Sequence, residues 1–76
     1  MTTQTINALR AATKCIRADL RQSQKLYNRL ERKSHTANGL DFEESETHDF
    51  EDGFSSALRL ALQYLERELS AVAVKI

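Results

Sequence analysis

The segment Ser34-His35-Thr36-Ala37-Asn38-Gly39-Leu40-Asp41-Phe42-Glu43-Glu44 is the one place in the chain where one helical pattern stops and another starts. Asn38-Gly39 is its turn signal, because both residues tolerate positive φ and Gly commonly follows the last turn of a helix. Asp41 followed by Glu44 reads as a capping-box variant, in which the two side chains cover backbone N–H groups left without partners in a first turn. Acids at 41, 43 and 44 also suit the positive end of a helix dipole. The turn therefore occupies about residues 34–40, and helical tracts are expected on both sides of it.

Before the turn, Ile6, Leu9, Thr13, Ile16, Leu20, Ser23, Tyr27 and Leu30 recur at alternating steps of three and four. That is the a/d series of a coiled-coil or helix-bundle seam. Thr13 and Ser23 weaken its apolar character but allow close helix approach. With Thr2 or Thr3 as cap, the spacing predicts a helix over about 3–33. After the turn, Phe50, Phe54, Leu58, Ala61, Leu65, Leu69 and Val72 keep a three-or-four spacing, and Ala57, Leu60, Leu62, Tyr64, Ala71 and Ile76 widen the apolar arc to roughly 200°. A helix over about 41–75 follows, with Gly53 the candidate break, since Gly costs about 1 kcal/mol relative to Ala in a helix interior. The expected fold is all-α: one domain, 1–76, forming an antiparallel hairpin of two long helices.

Composition narrows the class. At 76 residues, 41% apolar and 29% charged, the chain suits one soluble domain rather than a disordered or membrane protein. No Pro and two Gly leave few turns for a β-sandwich or barrel. Cys15 is the only Cys, which excludes an internal disulfide framework and a Cys-based zinc site; a free thiol in a reducing, cytoplasmic compartment is expected. No apolar run reaches about 18 residues and the start lacks the apolar core of a secretion signal, so no membrane association is expected.

A 200° apolar arc is wider than one neighbouring helix covers, and chains below about 70–80 residues have small cores. Pairing of two hairpins, a homodimeric four-helix bundle, is therefore expected. Its core and interface would draw on Ile6, Leu9, Ile16, Leu20, Tyr27, Leu30, Phe54, Leu58, Ala61, Leu65 and Leu69.

Net charge is zero only as a sum. Residues 1–38 carry eight bases and two acids, net +6, whereas residues 39–76 carry three bases and nine acids, net −6. Arg10, Lys14, Arg17, Arg21, Lys25 and Arg32, with Arg29 beside them, form a basic stripe roughly 33 Å long on one side of the first helix. Asp41, Glu43, Glu44, Glu46, Asp49, Glu51 and Asp52 put seven acids in twelve residues. In a hairpin, Lys25, Arg29, Arg32 and Lys33 lie opposite this run and neutralise part of it, leaving an acidic turn end.

Chemistry-bearing constellations are sparse. His35 and His48 lack the helpers and spacing of a zinc site. The di-iron bundle signature and the EF-hand loop are both missing. No glycine-rich phosphate loop is present, and a single hairpin encloses no pocket. No enzyme, metal or cofactor is therefore expected. The leading functional expectation is a binding protein whose acidic surface, Asp41 to Asp52, meets a basic partner. In size and charge segregation the chain resembles phage or mobile-element inhibitors of host nucleic-acid-handling defence complexes, of the anti-CRISPR or anti-restriction type. The alternatives are a dimeric nucleic-acid-binding regulator using the basic stripe, which resembles Rop in architecture, and a structural dimerisation adaptor.

Overall fold

Thr2 opens the first helix, its Oγ1 accepting from Thr5 N at 3.2 Å. In the computed structural model, which describes the backbone of residues 2–75 and the side chains of residues 2–72, this helix, α1, spans Thr3–Ser34 and the second, α2, spans Phe42–Lys75. At the end of α1, His35 N and Thr36 N donate to Arg32 O and Lys33 O at 3.3 and 3.0 Å. Thr36 Oγ1 adds a bond to Lys33 O at 2.6 Å, so carbonyls orphaned by the helix end are satisfied. Gly39 takes φ 62°, the left-handed conformation that reverses the chain. The capping box then forms reciprocally: Glu44 N donates to Asp41 Oδ1 at 2.8 Å, and Asp41 N donates to Glu44 Oε1 at 3.3 Å.

α2 runs unbroken through Gly53, where a Cβ would meet nothing within 4 Å. Helix geometry persists there because its neighbours on both sides carry it. The two helices pack as an antiparallel hairpin, a rod of 56 × 17 × 14 Å. Its radius of gyration is 16.8 Å, against about 11 Å for a globular chain of this length.

The α1 side of the seam is the one its spacing implies: Thr13, Ser23 and Leu30 are buried, and Ile6, Leu9, Ile16, Leu20 and Tyr27 are half-buried. The α2 side differs from the spacing over its first half. The residues turned toward α1 are Glu44, His48, Glu51 and Ser55, followed by Leu58, Leu62, Leu65 and Leu69. Phe50 and Phe54 lie outside the seam and stack on each other, ring centroids 5.4 Å apart and 14° from parallel. Phe54 is thus not part of the hairpin core. The seam in this half is instead closed by polar pairs: Tyr27 stacks on His48 at 4.8 Å, and Ser23 Oγ donates to Glu51 Oε2. Ser23 and Ser55, each 4% exposed, keep the helices close enough for these contacts.

This hairpin buries little apolar surface. Leu30 is the single buried hydrophobic residue among those described. The solvent-accessible surface is 5849 Å², about 1,100 Å² more than the roughly 4,700 Å² of a compact globular chain of this mass.

Candidate functional site

Cross-helix bonds define one edge of the rod. Arg17 Nη2 bonds Glu66 Oε1 at 2.7 Å. With its carboxamide oriented oxygen-first toward α2, Gln24 accepts from Arg59 Nη2 at 2.6 Å. Nearer the turn, His48 Nε2 lies 2.6 Å from Glu31 Oε2, and on the other side of the seam Lys33 Nζ donates to Glu44 Oε2 at 2.6 Å. Counted at about 100° per residue, Arg17 and Gln24 sit on the same side of the seam as the basic stripe of α1. Glu66 and Arg59 sit on the matching side of α2. This is the polar edge.

The other edge is apolar. On α2 it carries Phe50, Phe54, Ala57, Ala61 and Tyr64, with Leu60 and Phe42 further round. On α1 it carries Ala8, Ala12, Cys15 and Leu26. Phe42, Phe50, Leu60 and Tyr64 are 77, 62, 68 and 61% exposed, and Phe54 is 39% exposed. Scattered apolar residues on a surface are ordinary; here Phe50, Phe54 and Tyr64, three of the five Phe and Tyr rings, share one strip.

The charged candidates separate into bonded and free groups. In the acidic run, Asp41 and Glu44 are engaged in the cap and Glu51 accepts from Ser23. Glu43, Glu46, Asp49 and Asp52 have no Lys or Arg within ion-pair distance among the described residues; His48 Nδ1 lies 3.8 Å from Asp49. Their i, i+3 spacing winds them around the outward half of the first turns of α2. Of the four bases expected to neutralise this run, Lys33 alone pairs with a carboxylate among the described residues; Lys25, Arg29 and Arg32 point elsewhere. Of the basic stripe, Arg17 is paired with Glu66, while Arg10, Lys14, Arg21, Lys25, Arg29 and Arg32 are exposed with no carboxylate within 4.0 Å among the described residues.

Electrostatics single out one cluster. The hydrogen bond from His48, reinforced by His35 at 3.2 Å, holds the Glu31 carboxyl below its ordinary value. The charge of Glu31 in turn pushes the Tyr27 phenol up. Glu44 is likewise lowered, chiefly by its bond from Lys33 and then by the Asp41 backbone N–H. These groups tie α1 to α2; Lys33–Glu44 is one of the neutralising pairs expected of a hairpin, whereas the Glu31–His48 contact carries no sequence signal, the two being seventeen positions apart with no motif between them.

A shallow open depression along α1 is lined by Gln22, Lys25, Leu26, Asn28, Arg29 and Arg32, all from one helix, and encloses no cavity. Among the described residues no three His, Cys, Asp or Glu side chains converge as metal ligands, and no helix is long and apolar enough to cross a membrane. Compared with known proteins, the chain matches no family model, no curated protein and no solved structure.

Proposed function

We propose that this chain is a non-catalytic binding protein that works as a homodimeric four-helix bundle and engages a basic protein surface through its acidic turn end. The observation that carries this reading is the uncovered apolar edge, with Phe50, Phe54, Leu60 and Tyr64 exposed beside a core in which Leu30 is the one buried hydrophobe among the described residues. The excess surface, about 1,100 Å², is of the order that one partner contributes to a stable protein–protein interface, about 800 Å². Within the hairpin Glu43, Glu46, Asp49 and Asp52 form no pair with a Lys or Arg among the described residues, and their charge steers a basic partner into contact. The basic groove of a nucleic-acid-handling protein has the fitting chemistry, which agrees with an inhibitor of such a complex.

Affinity capture from the native host with the wild-type chain and a Glu43→Gln/Glu46→Gln/Asp49→Asn/Asp52→Asn variant tests the acidic handle. The capping pair Asp41 and Glu44 is untouched, so the variant keeps its helices. Loss of the captured partner at unchanged helicity is expected; equal capture by both proteins contradicts the reading.

The six free cations of α1 favour one second reading, a phosphate-backbone contact along the stripe. A gel shift separates the two. Under the first reading the protein binds neither duplex nor single strand at physiological salt. Under the second, a shift occurs, falls steeply with salt, and is abolished by Arg21→Glu/Lys25→Glu, two stripe residues that form no ion pair in the hairpin.

A further inference from the structure

Two hairpins that meet through their apolar edges have two symmetric arrangements. With the two-fold axis along the helices, both turns lie at one end and each α1 packs on the partner's α2. With the axis across the helices, the turns lie at opposite ends, α1 packs on α1 and α2 on α2. From charge and shape, and resting on the homodimer reading above, we infer that the turns lie together, so that each basic helix is flanked by two acidic ones.

Charge is the first discriminator. The α1 half of the chain carries +6 and the α2 half −6. Packed helices sit about 8–10 Å apart, close to the Debye length of about 8 Å at physiological ionic strength. An α1–α1 contact therefore sets two like-charged helices side by side, whereas seven of the nine acids of the α2 half lie in residues 41–52, beside the turn. Turns together, the helices alternate in sign around the turn end of the bundle, where bases 21–33 of each α1 lie between the acidic runs 41–52 of both α2 helices. The seam contacts fix the levels within one hairpin: Ser23 lies beside Glu51, Tyr27 beside His48 and Lys33 beside Glu44, while the longer Arg17–Glu66 and Gln24–Arg59 contacts reach obliquely along the rod. Carried over to the partner, these levels bring Arg29 and Lys33 to the height of the partner's Glu43 and Glu46.

Side-chain size is the second, independent discriminator. The outer flank of α1 between residues 8 and 18 is small: Ala8, Ala11, Cys15 and Ala18. At the same height the outer flank of α2 presents Leu60 and Tyr64, which the hairpin itself leaves 68 and 61% exposed. With turns together, the partner's Leu60 and Tyr64 fall on this small-residue track, and Leu26 falls level with the partner's Phe50 and Phe54. Turns apart, the α1 track meets the partner's Leu26, Arg29 and Lys33 instead, setting cations against an apolar strip. The same arrangement gathers Asp49 and Asp52 of both protomers at one end, doubling the acidic handle of the proposed function.

The test places a spin label at Asn38, exposed at the tip of the turn, in an Asn38→Cys/Cys15→Ala chain, and measures the label–label distance by pulsed dipolar electron paramagnetic resonance. Helicity of the labelled chain is checked by circular dichroism. A short distance, of order two to three interaxial spacings or about 20–30 Å, is expected. A distance near the 56 Å length of the rod overturns the arrangement while leaving the dimer standing. No dipolar signal together with a monomeric mass overturns the dimer itself. The unlabelled wild-type chain gives an independent readout: its dimer weakens as salt is raised if unlike helices touch, and tightens if like helices touch.

Discussion

At the scale of single residues, the two glycines make opposite demands. Gly39 sits at φ 62°, where a Cβ clashes with the following carbonyl, so Gly39→Ala costs about 1 kcal/mol. Gly53 lies in an open helical position, so Gly53→Ala stabilises by about 0.5–1 kcal/mol. Chemical denaturation of the two variants checks both signs. Glu31 supplies a pH signature. Its folded-state pKa is depressed by His48, so its contribution to stability is present above the unfolded value and is lost as pH falls through the folded one. Melting temperature should therefore decline below about pH 5, and Glu31→Gln should flatten that decline relative to wild type. An unchanged acid limb in the variant shows that the His48 contact is not coupled to folding.

At the scale of elements, the caps and the α1 seam were legible in the sequence and half of the α2 seam was not. Asp41 and Glu44 stand at the spacing a capping box requires and form it, so Asp41→Ala should cost about 0.5–2 kcal/mol, read from thermal melts. The α1 spacing was informative because its apolar set is narrow and fits one neighbour. The apolar set of α2 is broader than one neighbour covers, and its own periodicity cannot say which part faces inward. Phe50 and Phe54 gave the stronger apolar signal, yet His48, Glu51 and Ser55 occupy the seam, because Tyr27, Ser23 and Glu31 on the other helix supply their partners. That information lies in the pairing of two distant segments. Ser55 is where it is most easily tested: Ser55→Leu overfills a contact between closely packed helices and should destabilise by about 1–3 kcal/mol, whereas an apolar-seam reading of that position predicts a gain. The charged candidates divide on the same ground, since their positions were readable but their pairing required the helix register.

At the scale of the whole molecule, the rod's thin core, its exposed aromatic edge and the opposite charges of its halves are the grounds for the proposed assembly through the apolar edge. Leu58 and Leu65 are half-buried on the α2 seam, and Leu58→Glu or Leu65→Glu should unfold the chain, because a buried unpaired charge is expensive. Folding and association are coupled in such a dimer, so the melting temperature should rise with protein concentration. The most direct measurement is sedimentation equilibrium of the wild-type chain across the micromolar range. The account predicts a mass of twice the 8.7 kDa chain; a mass of 8.7 kDa throughout, with melting independent of concentration, would contradict it.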